Sequence, residues 1–550
     1  MPTGPRPTNP LHRPATWLPL LVGIALIVGI LIGMQLAMSE LPPVGEALPP
    51  AGSRQGKIEE LIRYVEAKYV DEVDREALVQ ETIDHLLAQL DPHSNYIPRE
   101  DLLQVNEQLD GTFVGIGVEY MLVDDTIVVV SPLAGGPSAM QGVRAGDRVV
   151  TINDTIVAGV DITGAQIVAL LRGEKGTRVD IGVLRSPADE RLDFTITRDE
   201  IPDRSVDVHY MLDDRTGYIK LNRFSATTYD EFMEALRELI DEHGMEDLVI
   251  DLRHNPGGYL QEATKILSQL FGEKGRTLVY TEGRAVGRHD YDTNGKALFD
   301  VDDIAVLIDE GSASASEIVA GAIQDYDRGI LVGRRSFGKG LVQEQYRLKD
   351  GSALRLTVAR YYTPSNRSIQ RPYADADRYD ADGNDRYRSG ELLSADSIRI
   401  ADSTEYYTAN NRVVYGGGGI TPDIFIPLDT VQLDPLFLAL RRLLPEYVLR
   451  YVNEQPERFA DLPLERFVRT RLSEAAFDDF LAFARAEGLE WTDTELRPLR
   501  ADLRRYLKAR LARQLYGEIG FYTVYNAEDE AVLRALENLN SSSSTLRAER

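Results

Sequence analysis

Apolar residues along this chain fall into three rhythms, and each predicts a different kind of element. From Leu18 to Met38 they run on without a charged residue, and at about 1.5 Å per residue a helix of that length crosses a bilayer. Across 56–110 they recur at spacings of three and four, in IEELIRYVEAKYV and EALVQETIDHLLAQL, which predicts amphipathic helices. Farther on, short apolar runs, one opening LVIDLRHNPGGYLQEATKIL (Leu248–Leu267) and another in IAVLIDE (Ile304–Glu310), read as strands, each followed by a turn of small residues and a stretch with helical periodicity. GSALRLTVARYYTP reads as a late strand completing the same sheet. From about 431 onward the chain is helical and charged, and the run Ser541–Ser544 predicts a flexible tail. The expected architecture is multidomain α/β. It comprises an N-terminus (1–17), a single transmembrane helix (18–38), a Pro/Gly linker (39–55), a helical segment (56–110), a compact domain of short strands (111–200), a mixed domain (201–430) and a helical C-terminal extension (431–550).

Charge sets the orientation of the apolar segment and narrows the partners. Arg6 and Arg13 precede it and no acidic residue occurs before Glu40, so the N-terminus is expected to stay cytoplasmic while the remainder crosses. Ala37-Met38-Ser39 offers a small-x-small cleavage site as the alternative, but the apolar stretch exceeds an ordinary signal core. The whole chain carries 61 Lys plus Arg against 88 Asp plus Glu, a net charge of −27 over 550 residues, which argues against nucleic acid or an anionic membrane surface as partner. It has no cysteine, which excludes disulfides, Cys-ligated metals and thiol catalysis. The acidic stretch Asp375–Asp385 hints at a calcium loop, yet Arg378 and Ser389 stand where an EF-hand needs its first and last ligands, so it reads as a solvated loop.

The candidate chemistry lies in GSASASEIVAGAIQDYDRGILVGRRSFGKG, Gly311–Gly340. Ser314 stands at the mouth of a helix with Glu317 three residues later, a capping-box spacing that could be only structural. The same position places a hydroxyl beside unpaired backbone N–H groups able to stabilise an oxyanion. A serine nucleophile needs a base, and none of the seven histidines has a suitable setting; His254, in DLRHNPGG, fits a loop or packing role better. Lys339, between Gly338 and Gly340 after an apolar strand, becomes a base if burial lowers its pKa from about 10.4.

These residues resemble the carboxyl-terminal processing peptidases, or tail-specific proteases. The SASASE block, Gln324-Asp325, FGKG and Gln343 recur with the family's spacing, Lys339 following Ser314 by 25 positions and Gln343 following by four more. The resemblance implies Ser314 as nucleophile, Lys339 as general base, Gln343 as the residue orienting the amine, and Asp325 as structural support. It also implies an oxyanion hole formed by Ala315 with Gly257 or Gly258 from LVIDLRHNPGG, the choice between the two glycines staying open. A crotonase-like ββα fold, a dimerising helical segment and no metal or organic cofactor follow from the same resemblance.

Upstream, GVRAGDRVVTIN (Gly142–Asn153) resembles a PDZ domain of the circularly arranged bacterial form. That resemblance makes Phe113, Val114, Gly115, Ile116, Gly117 and Val118 the loop that holds a peptide's terminal carboxylate, the peptide adding as a strand to the sheet edge. Arg172, in LLRG, falls where relatives couple the bound peptide to the protease. The resulting expectation is a serine endopeptidase, anchored in a bacterial inner membrane and facing the periplasm or exterior. It would recognise the C-terminal tails of unfolded or processed proteins, as a homodimer or larger homo-oligomer. An inactive PDZ scaffold is the alternative, disfavoured by intact Ser314, Lys339 and Gln343; a trypsin-like PDZ protease lacks its serine context and histidine order.

Overall fold

The computed structural model describes Gly4 and residues 56–548 except 134, 187–189 and 401. The expected anchor at 18–38, the linker at 39–55, the cleavage alternative at 37–39 and all of the N-terminus but Gly4 lie outside the described residues. Among the described residues no helix is long and apolar enough to cross a membrane. The chain forms two units, Met1–Leu86 and Leu87–Arg550. In the first, α1 (Gly56–Lys68) and most of α2 (Arg75–Ala88) carry the predicted helices, with Arg75 pairing Glu59 and Glu66.

The second unit opens with β1 (Asn95–Ile97) and α3 (Arg99–Asp110), which Gly111 ends in a left-handed conformation. A small β-domain follows: β2 (Thr112–Gly115), β3 (Val118–Val123), β4 (Thr126–Pro132), α4 (Pro137–Gln141), β5 (Arg148–Ile152), β6 (Thr155–Ile156), α5 (Gly164–Leu171), β7 (Arg178–Arg185), β8 (Glu190–Thr197) and β9 (Asp199–Pro202). Its main sheet runs β3-β4-β5-β7-β8 around a core that includes Ile127, Val149, Ile167 and Val183. β2 pairs only with β9, and this two-stranded strap leads into the next domain.

That domain contains β10 (Val206–Met211), β11 (Thr216–Leu221), α6 (Thr228–Arg237), β12 (Asp247–Asp251), α7 (Leu260–Leu270), β13 (Lys274–Glu282), β14 (His289–Asn294), β15 (Ile304–Ile308), α8 (Ala315–Asp325) and β16 (Ile330–Gly333). It continues through β17 (Leu341–Arg347), β18 (Ala353–Tyr362), α9 (Ala376–Asp380), α10 (Asp382–Arg388), β19 (Asp402–Tyr407), β20 (Val413–Gly416) and β21 (Ile424–Phe425). The central sheet has the order β10-β11-β12-β15-β16-β21, parallel except for β10. Parallel strands need both faces covered, and every residue of β12 and β15 is buried. α6, α7 and α8 cover one face. A second sheet, β1-β18-β13-β14 with β17 on β18, lies beside it.

The C-terminal part is helical: α11 (Pro435–Glu454), α12 (Pro456–Phe459), α13 (Leu464–Arg469), α14 (Glu474–Ala486), α15 (Asp493–Asn526) and α16 (Glu530–Ala548). α11, α14 and α15 build their own core around Phe437, Tyr447, Phe477, Phe480 and Leu503. α16 belongs elsewhere. Its Ala531, Val532, Ala535 and Leu539 pack with Tyr218, Val249, Ala305, Leu307 and Val332 on the second face of the central sheet.

Two expectations change. The stretch Asp375–Asp385, expected as a solvated loop, enters the helices α9 and α10, because Asp382 pairs with Arg371 and Arg386 and the buried Arg386 guanidinium caps the carbonyls of Arg335, Ser336 and Phe337. Ser541–Ser544, expected as a flexible tail, continues α16.

Candidate active site

The turn that carries Ser314 is built by β15 leaving the sheet into α8. Asp309, buried at its end, accepts hydrogen bonds from the backbone N–H groups of His254 (2.8 Å) and Gly311 (3.0 Å), which fastens this turn to the neighbouring Leu252–Gly258 loop. The exposed His254 imidazole pairs with Asp309 at 3.0 Å and serves that junction. Ser314 caps α8 with φ 54° and ψ −113°, a conformation a non-glycine residue holds only when its surroundings enforce it. What enforces it is Glu317, which lies wholly inside the protein and accepts the Ser314 N–H at 2.9 Å.

The same carboxylate reaches the lysine loop. Glu317 also accepts the N–H groups of Gly338 (2.7 Å) and Lys339 (2.8 Å) and the Ser336 hydroxyl (2.5 Å). The buried Tyr361 hydroxyl sits between the carbonyls of Ser314, at 3.0 Å, and Lys339. One carboxylate and one phenol thus hold the backbones of both candidate residues. Burial pushes the Glu317 carboxyl up to about 7, against those hydrogen bonds, which favour its charged form. Burial also lowers the Lys339 ammonium, with the Arg355 charge adding to it and Glu317 and Asp91 opposing.

Lys339 Nζ donates to Gln343 Oε1 at 3.1 Å, and among the described residues no hydrogen bond joins it to the Ser314 hydroxyl. Gln343 is itself fixed: its amide donates to the carbonyl of His93, which leaves Oε1 facing the lysine. His93 sits in a turn organised by Asp91, whose carboxylate accepts the N–H groups of His93 (2.8 Å) and Ser94 (2.9 Å) and the hydroxyls of Ser94 (2.6 Å) and Thr357 (3.1 Å). Burial, then the charge on Lys339, pushes the His93 imidazole down to about 4, so it stays neutral beside Tyr379 Oη at 2.6 Å.

The structure distinguishes the two glycines. Gly257 N–H is engaged by Asn255 Oδ1 at 2.9 Å, whereas Gly258 N–H makes no hydrogen bond among the described residues. Gly257 is required for another reason. With φ 96°, a Cβ there would fall 2.7 Å from the Ser314 Cβ, so the bare backbone lets the two turns touch. Gly258 adopts φ 144°, and a Cβ would strike the Phe224 carbonyl at 2.1 Å. Ala315, the first residue of α8, has an N–H with no helical partner.

Asp325 is not brought to this site. It lies at the far end of the 11-residue α8, where it forms a fully buried pair with Arg367 at 2.7 Å and accepts Ser365 N–H. In the small β-domain, Phe113, Val114 and Gly115 lie in β2, Val118 starts β3, and the N–H groups of Ile116 and Gly117 between them make no hydrogen bond among the described residues. Arg172 caps α5, stacks over the Phe113 ring at 4.7 Å and pairs with Glu107 of α3 at 2.5 Å. Glu107 also accepts the Val114 N–H at 3.3 Å.

Sequence reasoning gave no role to the Asp91–Ser94 turn and read Glu317 only as a cap. The available signal for the turn was DPHS, an Asp placed to accept the N–H groups two and three residues on. For Glu317 the signal was a carboxylate directly before the apolar run Ile318–Ile323.

Residues 215–378 match peptidase family S41, residues 114–197 match a PDZ domain, and residues 437–517 match a family of unknown function (DUF8443). The chain is 35% identical over 340 residues to the carboxy-terminal processing protease CtpB of Bacillus subtilis (strain 168), covering 60% of this chain and 68% of that one. It is 38% identical over 324 residues to a carboxy-terminal-processing protease of Bartonella bacilliformis, covering 58% and 72%. A solved photosystem II D1 C-terminal processing protease is 26% identical, with 68% and 87% covered and a TM-score of 0.33.

Proposed function

Since the chain belongs to peptidase family S41, among the carboxy-terminal processing proteases, and is therefore a serine peptidase bearing a PDZ domain, we propose that Ser314 and Lys339 are its catalytic pair. Neutral Lys339 takes the Ser314 hydroxyl proton as Oγ attacks the peptide carbonyl. The tetrahedral oxyanion is held by the N–H groups of Gly258 and Ala315. Lys339 then passes the proton to the departing amine, leaving an acyl-enzyme. A water deprotonated by the same lysine attacks the ester, and Ser314 recovers its proton. Gln343 orients the amine throughout. The observation that carries this reading is the single buried carboxylate, Glu317, that binds the N–H groups of both Ser314 and Lys339.

The PDZ domain fits binding of the C-termini of protein substrates, with the free N–H groups of Ile116 and Gly117 placed to take the carboxylate and apolar terminal residues favoured beside Phe113, Ile116 and Val118. Arg172 couples tail binding to catalysis, since its partners Phe113 and Glu107 belong to the carboxylate loop and to α3. The peptidase domain is read as crotonase-like, which the strand–turn–helix repeats β12–α7 and β15–α8 favour. A membrane anchor at 18–38, a catalytic part facing the periplasm or exterior of a bacterial cell, and a homodimeric or larger assembly complete the reading, the anchor resting on the uncharged run and its flanking arginines.

The test is incubation of the full chain with an unfolded protein ending in apolar residues, followed by mass spectrometry of the products. Internal cleavage that disappears in Ser314→Ala and weakens when the substrate's C-terminus is amidated is the expected result. Undiminished cleavage by Ser314→Ala removes the assignment.

A further inference from the structure

The sheet of the PDZ domain ends on β3, whose outer edge pairs with no strand among the described residues. From Val118 to Met121 its side chains alternate between two environments. Val118 and Tyr120 pack on the domain core. Glu119 instead pairs with Arg513 of α15 at 3.0 Å, and Met121, Leu122 and Val123 line a cleft of about 510 Å³ whose other wall is α11, with Arg442, Leu443, Pro445 and Glu446, and Glu487 and Leu489 after α14. α11 keeps to the same side: Glu446 lines the cleft opposite Met121 and Val123, and Asn453 Nδ2 lies 3.1 Å from where a Cβ on Gly146 would stand. The C-terminal helices therefore cover the outward face of β3 without pairing its edge.

Resting on the reading that a substrate tail adds to this edge as a strand, we propose that the C-terminal helical domain is a second specificity wall for the tail, taking apolar side chains at its fourth and sixth positions from the end. An added strand alternates its side chains as β3 does. The terminal and third residues face the PDZ pocket. The second, fourth and sixth fall on the face of Glu119, Met121 and Val123. With the carboxylate at the start of β3, the second residue meets the Glu119–Arg513 pair, and the fourth and sixth reach the cleft between Met121 and Val123 on one side and Leu443, Pro445 and Leu489 on the other. The occupant is thus the tail itself, continued from the PDZ groove, and Met121, Val123, Leu443, Pro445 and Leu489 give the cleft the apolar surface that sets its chemistry, beside the charged Arg442, Glu446 and Glu487.

The experiment measures anisotropy of labelled octapeptides on the full chain carrying Ser314→Ala, so that nothing is cleaved. The peptides share their last three residues and carry leucine or serine at the fourth and sixth positions. The leucine peptide is expected to bind about tenfold more tightly, the scale of burying an apolar side chain. Leu443→Ser is expected to bring that ratio toward one while leaving the serine peptide's affinity unchanged. Met121→Ser, on the opposite wall, is expected to do the same and keeps the test decisive should Leu443→Ser fail to fold. Equal binding of the two peptides to the parent, or a ratio that survives in both folded variants, overturns the proposal. An amidated leucine peptide separates the two readings: if amidation weakens binding while the leucine/serine ratio is one, the wall alone fails, and if amidation changes nothing, tail reading fails and the wall with it.

Discussion

A lysine can accept the Ser314 proton only when neutral, so burial of Lys339, which lowers its pKa from 10.5, should appear in the rate. kcat/KM is expected to rise with pH and to level off above the lowered lysine pKa, while Lys339→Arg stays inactive at every pH because guanidinium does not deprotonate. A flat profile between pH 5 and 9 would falsify the lysine base. Glu317 gives a second expectation. Its folded pKa of about 7 lies above its ordinary 4.5, so its contribution to stability is fully present below 4.5 and is lost as pH rises through 7. Compared with Glu317→Gln, the wild-type chain should lose up to about 3 kcal/mol between those values, read from denaturant unfolding across pH; parallel curves contradict the buried carboxylate. Ser314 and Lys339 were legible because small residues, glycines and spacing marked them. The reach of Glu317 to Gly338 and Lys339 was not, since the partners lie 21 and 22 positions away and only the closed fold brings them together.

At the scale of elements, the Asp91–Ser94 turn carries a consequence for catalysis. It presents the His93 carbonyl to Gln343, and through Gln343 it points the lysine amine. Asp91→Ala removes the acceptor that shapes the turn, and kcat is expected to fall by about tenfold with KM little changed, the mark of lost positioning rather than lost binding. A KM effect with kcat intact would assign the turn to substrate binding instead. Periodicity and apolar runs located the strands and helices around the site, β12, α7, β15 and α8, because each buries a continuous or one-sided apolar pattern. The short helices at Ala376–Asp380 and Asp382–Arg388 were not legible. Their ordering depends on Arg371, Arg386 and Glu391, ion partners that no local pattern reveals.

At the scale of the molecule, the last helix is part of the catalytic core rather than an appendage. α16 covers the second face of the central sheet, and Asp529 beside its start receives Arg253, whose own loop leads to the Gly257–Gly258 turn. Composition marked this region only as helical and charged, because the apolar stripe of Ala531, Val532, Ala535 and Leu539 looks like any amphipathic helix until its partner strands are known. Asp529→Ala leaves Arg253 with Asp251 alone and should cost about 1–3 kcal/mol, measured by chemical denaturation; an unchanged midpoint would mean that α16 docks by apolar contact only.

The most direct test of the Ser/Lys account is covalent labelling by a small serine-directed fluorophosphonate, followed by intact-mass and peptide mapping at neutral pH. The account predicts a single adduct on Ser314, absent in Ser314→Ala and slowed by at least about a hundredfold in Lys339→Arg, within the range one proton-transfer group contributes. Labelling of another serine, or unchanged labelling of Ser314 in Lys339→Arg, would contradict it.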